Sequence, residues 1–158
     1  MKFLLGGIAV TVSTAIGRAA VGKFGRRYAF FSEMKRLNGE LIRNLSFRML
    51  PVTEILSDAR QRYPSVKDTL DALLLSTEND CVFVFRNADL NEEERSFAEE
   101  YFRRAGGGNR ESEKGFLEEY AEYFARKEKE CAAEKKRYSA LGGKLGFLAG
   151  VAVMILIL

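Results

Sequence analysis

Residues 141–158 read "LGGKLGFLAGVAVMILIL". After Lys144 this stretch carries no charged side chain, in a protein whose residues are 30% charged. A helix rises ~1.5 Å per residue, so residues 145–158 cover about 21 Å, and a start at Ala140 with a snorkelling Lys144 brings this to about 28 Å. The hydrocarbon core of a bilayer is ~30 Å thick. A core helix would show a polar face, and residues 145–158 show none. The spacing predicts a membrane-spanning helix over 140–158.

A second charge-free run lies at the other end, "FLLGGIAVTVSTAIG" over residues 3–17. It could pass for a signal peptide, but Lys2 is its only preceding basic side chain and no turn signal follows. The pattern runs on as helix into "VGKFGRRYAFFSEMKRLNGELIRNL". A span over 1–22 follows, with retention and cleavage both open. Arg18, Lys23, Arg26 and Arg27 flank the first span, and Lys135, Lys136, Arg137 and Lys144 flank the second. Basic flanks stay cytoplasmic, so residues 23–139 are expected in the cytosol and both termini on the far side.

The totals exclude several function classes. The chain has 158 residues, a formal net charge of +3, no histidine and no tryptophan. Without histidine there is no Ser-His or Cys-His nucleophile pair and no HExxH zinc helix. Cys81 and Cys131 make no zinc pattern, and a disulfide between them needs an extracytoplasmic middle. The charge is too mild and too scattered for nucleic acid. "GGG" at 106–108 lacks the Lys-Ser/Thr of a phosphate loop and reads as a helix stop. "DLNEEE" at 89–94 lacks the central glycine of a calcium loop and reads as an N-cap. The glutamate runs at 92–94, 99–100 and 118–119 are interleaved with lysine and arginine, as solvated helix faces are. No enzyme, cofactor, metal or small-molecule substrate is expected.

The middle reads as helices. Phe30, Met34, Leu37, Leu41 and Leu45 recur on one helical face of a long segment from Val21 to Met49. Pro51 stops it and suits the first turn of "PVTEILSDARQRY". Ser65 and Asp68 offer a cap for the helix after Pro64, and Asn91 with Glu94 for "EEERSFAEEYFRRA". A final helix from about Ser112 carries a seam through Leu117, Phe124, Cys131, Tyr138 and Leu145. Tyr120 and Leu141 add to a second row, which Lys127 and Glu134 break, so the seam suits packing within a bundle. By propensity "CVFVF" at 81–85 is a strand without a partner; a short buried helix is the other reading. The fold expected is all-α: a cytosolic antiparallel helical bundle flanked by one N-terminal and one C-terminal transmembrane helix.

Small residues mark the spans. Gly142, Gly146 and Gly150 form one row; Gly7, Thr11, Ala15 and Ala19 form another. Either row is a close-packing interface between membrane helices or ordinary span composition. The first reading couples a tight contact in the bilayer to the bundle through the last helix. Lys135–Arg137 could also touch anionic lipid headgroups.

The layout resembles the stage III sporulation protein AB family. The pieces that carry the likeness are "LLGG" in the first span, the long basic helix after it, "RMLPVTEIL", "LNEEERSF" and "KKRYSALGGKLGFLAG". The turn "RRAGGGNRES" is richer in glycine than the family pattern. The resemblance implies a bundle similar to the inner-membrane platform proteins of type II secretion, which makes residues 81–85 helical. It also implies a place in the mother-cell membrane around the forespore, in a channel linking the two cells. The partners it implies are other channel membrane proteins and a secretion-type ATPase on the cytosolic side. The alternative is a membrane-tethered adaptor or scaffold unrelated to sporulation.

Overall fold

Five helices follow in chain order in the computed structural model: α1 (Lys2–Phe47), α2 (Val52–Arg62), α3 (Lys67–Leu75), α4 (Glu92–Arg104) and α5 (Arg110–Ile157). The structure describes residues 2–47, 52–75, 83–86, 88–105 and 110–157, with many side chains of the two charge-free runs outside that description. No strand occurs among the described residues, so the protein is all-α. Pro51, Asn109 and Gly106–Gly108 fall outside the described residues.

The chain divides into two units, Arg26–Glu130 and a second made of Met1–Gly25 with Cys131–Leu158. In the first, the apolar face expected of α1 holds: Phe30, Met34, Leu37 and Leu41 are buried, and Leu45 is half-buried. Phe31 and Asn38 are buried too, which widens the stripe beyond the predicted face. From α5 come Leu117, Tyr120 and Phe124, and from α4 Ala98, Tyr101 and Phe102. Tyr101 sits at the centre of an aromatic cluster, 5.8 Å from Phe116, 5.1 Å from Tyr120 and 5.2 Å from Phe124 between ring centroids. Each such ring contributes about 1.5–3 kcal/mol by leaving water. α2 and α3 pack against each other and are tied by Arg60 to Asp71 at 3.0 Å.

Two local expectations change. The first intrahelical bond of α3 runs from Leu70 N–H to the Val66 carbonyl, so Val66 stands at the N-cap rather than Ser65. The Ser65 N–H instead donates to Glu33 at 2.7 Å. Residues 83–85 are neither strand nor helix, against both readings of 81–85; Cys81 and Val82 lie outside the described residues. The physical reason is that the segment is held from the side. Thr69 Oγ1 donates to the Val84 carbonyl at 2.9 Å, which supplies the bond a neighbouring strand would give. Phe85 packs edge-on to Phe30 and Phe83 stacks on Phe102, so the aromatic residues bury themselves without a sheet.

In the second unit α1 and α5 meet where Phe24 stacks on Tyr138, with centroids 4.1 Å apart and planes 7° from parallel. Cys131 is a buried thiol, in no disulfide among the described residues. Val12, Phe147, Leu148 and Ile155 are exposed. Among the described residues no helix is long and apolar enough to cross a membrane.

Candidate functional site

The most heavily built polar site centres on Glu94. Asn91, in an extended conformation with φ −73° and ψ 172°, caps α4, and its side chain accepts from the Glu94 N–H at 2.8 Å. The Glu94 side chain reaches back to the Asn91 N–H, completing a capping box. Its second duty is long-range. Arg27 of α1 grips both carboxylate oxygens, Nη2 to Oε1 at 2.5 Å and Nε to Oε2 at 2.9 Å. Lys127 of α5 stands 3.2 Å from Oε1. The Glu94 side chain is 0% exposed. Burial alone would push its carboxyl up. Hydrogen bonds and charge from Arg27, then Lys127 and the Asn91 N–H, outweigh burial and hold it below the ordinary glutamate range. A carboxylate held this way is a poor proton acceptor for chemistry, and a strong tie between three helices.

A second tie is neutral. Asn38 of α1 is 0% exposed. Its amide donates to the Leu117 carbonyl of α5 at 2.8 Å, and its oxygen accepts from the Tyr101 hydroxyl of α4 at 3.0 Å. Burial raises the Tyr101 pKa far above its ordinary value, so the hydroxyl remains a donor. Nearer the surface, Glu40 accepts from Arg62 at 2.6 and 2.9 Å and from the Tyr63 hydroxyl at 2.8 Å. Lys35 meets Glu128 at 2.7 Å. Arg26 pairs with Asp89, the one non-glycine residue of positive φ (48°) among those described. Aspartate tolerates that region better than most side chains.

The residues named from sequence are distributed differently. Arg27, read as a membrane-flanking cation, is turned onto Glu94, and Arg26 is paired with Asp89. Lys23, Lys135, Lys136, Arg137 and Lys144 are exposed. Lys23 lies over the Phe24 ring, 5.1 Å from its centroid. The side chain of Arg18 is outside those described. Of the small-residue rows, Thr11 and Ala15 are exposed on α1 and Gly142 is half-buried on α5. Gly7, Ala19, Gly146 and Gly150 lie within these helices, and their surroundings are outside the described side chains. Sequence reasoning missed Asn38 and the pairing of Glu94. Lys127 was visible only as a flaw in the α5 seam, although a lysine at an apolar register position is itself a signal of a buried partner. Among the described residues no group of cysteine, aspartate or glutamate is placed to hold a metal ion.

The family model for stage III sporulation protein AB matches residues 2–158. No curated protein and no solved structure matches the chain.

Proposed function

This chain belongs to the stage III sporulation protein AB family and serves sporulation, and from that premise we propose that it is a non-enzymatic membrane platform of a secretion-like channel between mother cell and forespore. In this reading the segments 1–22 and 140–158 cross the mother-cell membrane, and the Arg26–Glu130 unit stands in the cytosol, where it docks a secretion-type ATPase. Other membrane proteins of the channel contact the spans.

The observation that carries the reading is the division of labour within α1 and α5. Each helix contributes apolar and polar ties to the Arg26–Glu130 core, and each also contains a charge-free run of membrane-spanning character. The segments 1–22 and 140–158 supply the apolar length, and basic residues flank each on the same side. The buried carboxylate Glu94 is consumed in holding helices together, as suits a scaffold.

The test is binding between purified partners. The full-length protein, in nanodiscs, is presented to the cytosolic secretion-type ATPase of the same organism, and retention is measured by gel filtration. The reading expects a stable complex that a surplus of the free Arg26–Glu130 unit dissolves. Failure to bind in both nucleotide-bound and nucleotide-free states removes the docking role.

A further inference from the structure

We propose that the level of α1 and α5 marked by the stacked Phe24–Tyr138 pair, which also carries Lys23, Lys136 and Arg137, is a binding surface for the headgroups of anionic phospholipids. The inference rests on the membrane placement proposed above and adds a lipid specificity to it. Four observations support it. The unit made of Met1–Gly25 and Cys131–Leu158 holds seven basic residues and one acidic residue, Glu134. Lys23, Lys136, Arg137 and Tyr138 are all exposed, Tyr138 by 39%. The ring stack brings the α1 and α5 cations to one level, because Lys23 lies over Phe24 while Arg137 precedes Tyr138. Among the described residues neither Lys136 nor Arg137 is engaged in an ion pair, so the bundle does not use their charge.

The chemistry selects lipid over other polyanions. The tyrosine of the pair suits the headgroup level of a bilayer, where its hydroxyl stays wet and its ring meets acyl chains. The helix carrying Lys136 and Arg137 becomes charge-free from Leu145 onward, so the cations stand at the polar end of an apolar segment. Clustered lysine and arginine at that depth attract anionic headgroups and are indifferent to zwitterionic ones. A soluble polyanion would meet the same charges, with no use for the exposed Leu141 one turn on or for Phe147 and Leu148 further along the helix.

The absence of tryptophan makes the test direct. Leu141, 42% exposed and one turn from Tyr138, is replaced in the full chain as Leu141→Trp, which leaves the ring pair and the cations intact. The protein is reconstituted in vesicles of phosphatidylglycerol and phosphatidylcholine, with brominated chains on one lipid or the other at equal mole fraction. The proposal expects a few-fold stronger quenching by brominated phosphatidylglycerol. It expects that preference to collapse in the Lys23→Gln, Lys136→Gln, Arg137→Gln triple variant and to weaken at high salt. Equal quenching by both lipids overturns the surface and leaves the membrane placement standing. A preference that survives in the triple variant overturns the surface as well. No quenching by either lipid overturns the placement and the surface together.

Discussion

The two units use charge in opposite ways. Arg26–Glu130 holds 21 acidic and 18 basic residues, and several of them are turned on one another across helices. The unit of Met1–Gly25 and Cys131–Leu158 holds seven basic and one acidic, with most of its described cations exposed. The net charge of +3 conceals this contrast. In the first unit a charge is a fastener whose value depends on burial. In the second it is a surface, whose value depends on what lies outside the protein. Substitutions should therefore separate the two by what they damage, stability in one and association in the other.

The largest effect belongs to Glu94. Glu94→Ala leaves Arg27 and Lys127 facing a buried void, which is expected to destabilise the Arg26–Glu130 unit by about 3–5 kcal/mol in urea unfolding. Glu94→Gln keeps a capping side chain and should be less damaging. The pH dependence has a fixed sign. The folded Glu94 and Glu128 carboxyls both lie below the ordinary value of 4.5, so the folded state binds their protons less well than the unfolded state. Their stabilisation is full above that value and is lost as pH falls through the folded values. Thermal unfolding followed below pH 5 should show a shallower acid slope in Glu94→Gln than in wild type. An unchanged slope would mean that Glu94 is not held as described.

Asn38 comes next. Asn38→Leu strands the buried Tyr101 hydroxyl and removes a second bond from the Leu117 carbonyl, and the expected loss is about 1–3 kcal/mol in the same unfolding experiment. If Asn38→Leu is neutral, the neutral tie is ornament and the ion cluster alone fastens the helices.

Gly146→Leu probes the other side of the contrast. Leucine suits lipid, so insertion should be kept, while close approach of a second helix is blocked at a cost of about 1–2 kcal/mol. Spore yield should fall relative to the exposed control Ile155→Leu at equal membrane levels. Equal yields would reduce the glycine row to composition.

The smallest effect is expected at Arg62, whose side chain is half exposed. Arg62→Ala should change unfolding by roughly 0.2–1 kcal/mol, despite its contacts with Glu40 and Asp58, because solvent screens exposed pairs.

Local signals in the sequence carried further than distant ones. The apolar period of α1 and the Asn91–Glu94 box depend on residues within a turn or two, and both are present in the fold. Pairings across 67 residues, such as Arg27 with Glu94, leave no periodic trace. Asn38 did leave one, since it follows Met34 by four residues and precedes Leu41 by three, on the buried face. Residues 83–85 misled because β propensity measures how well a side chain fits a half-buried surface, and an irregular segment pinned by Thr69 offers such a surface too. The α3 cap slipped by one because the Ser65 N–H was claimed by Glu33, from a helix distant in sequence. The basic flanks could be found by position alone, but which of them face a partner depends on burial. That is why Arg27 parts company with Lys136.

The account stands on the Arg26–Glu130 unit lying in the cytosol with both apolar runs in the membrane, and cysteine accessibility tests this most directly. Asn109→Cys, in a full-length chain carrying Cys81→Ser and Cys131→Ser, is exposed to a membrane-impermeant maleimide. The account predicts no labelling in intact cells and full labelling after the membrane is opened; labelling of intact cells would contradict it.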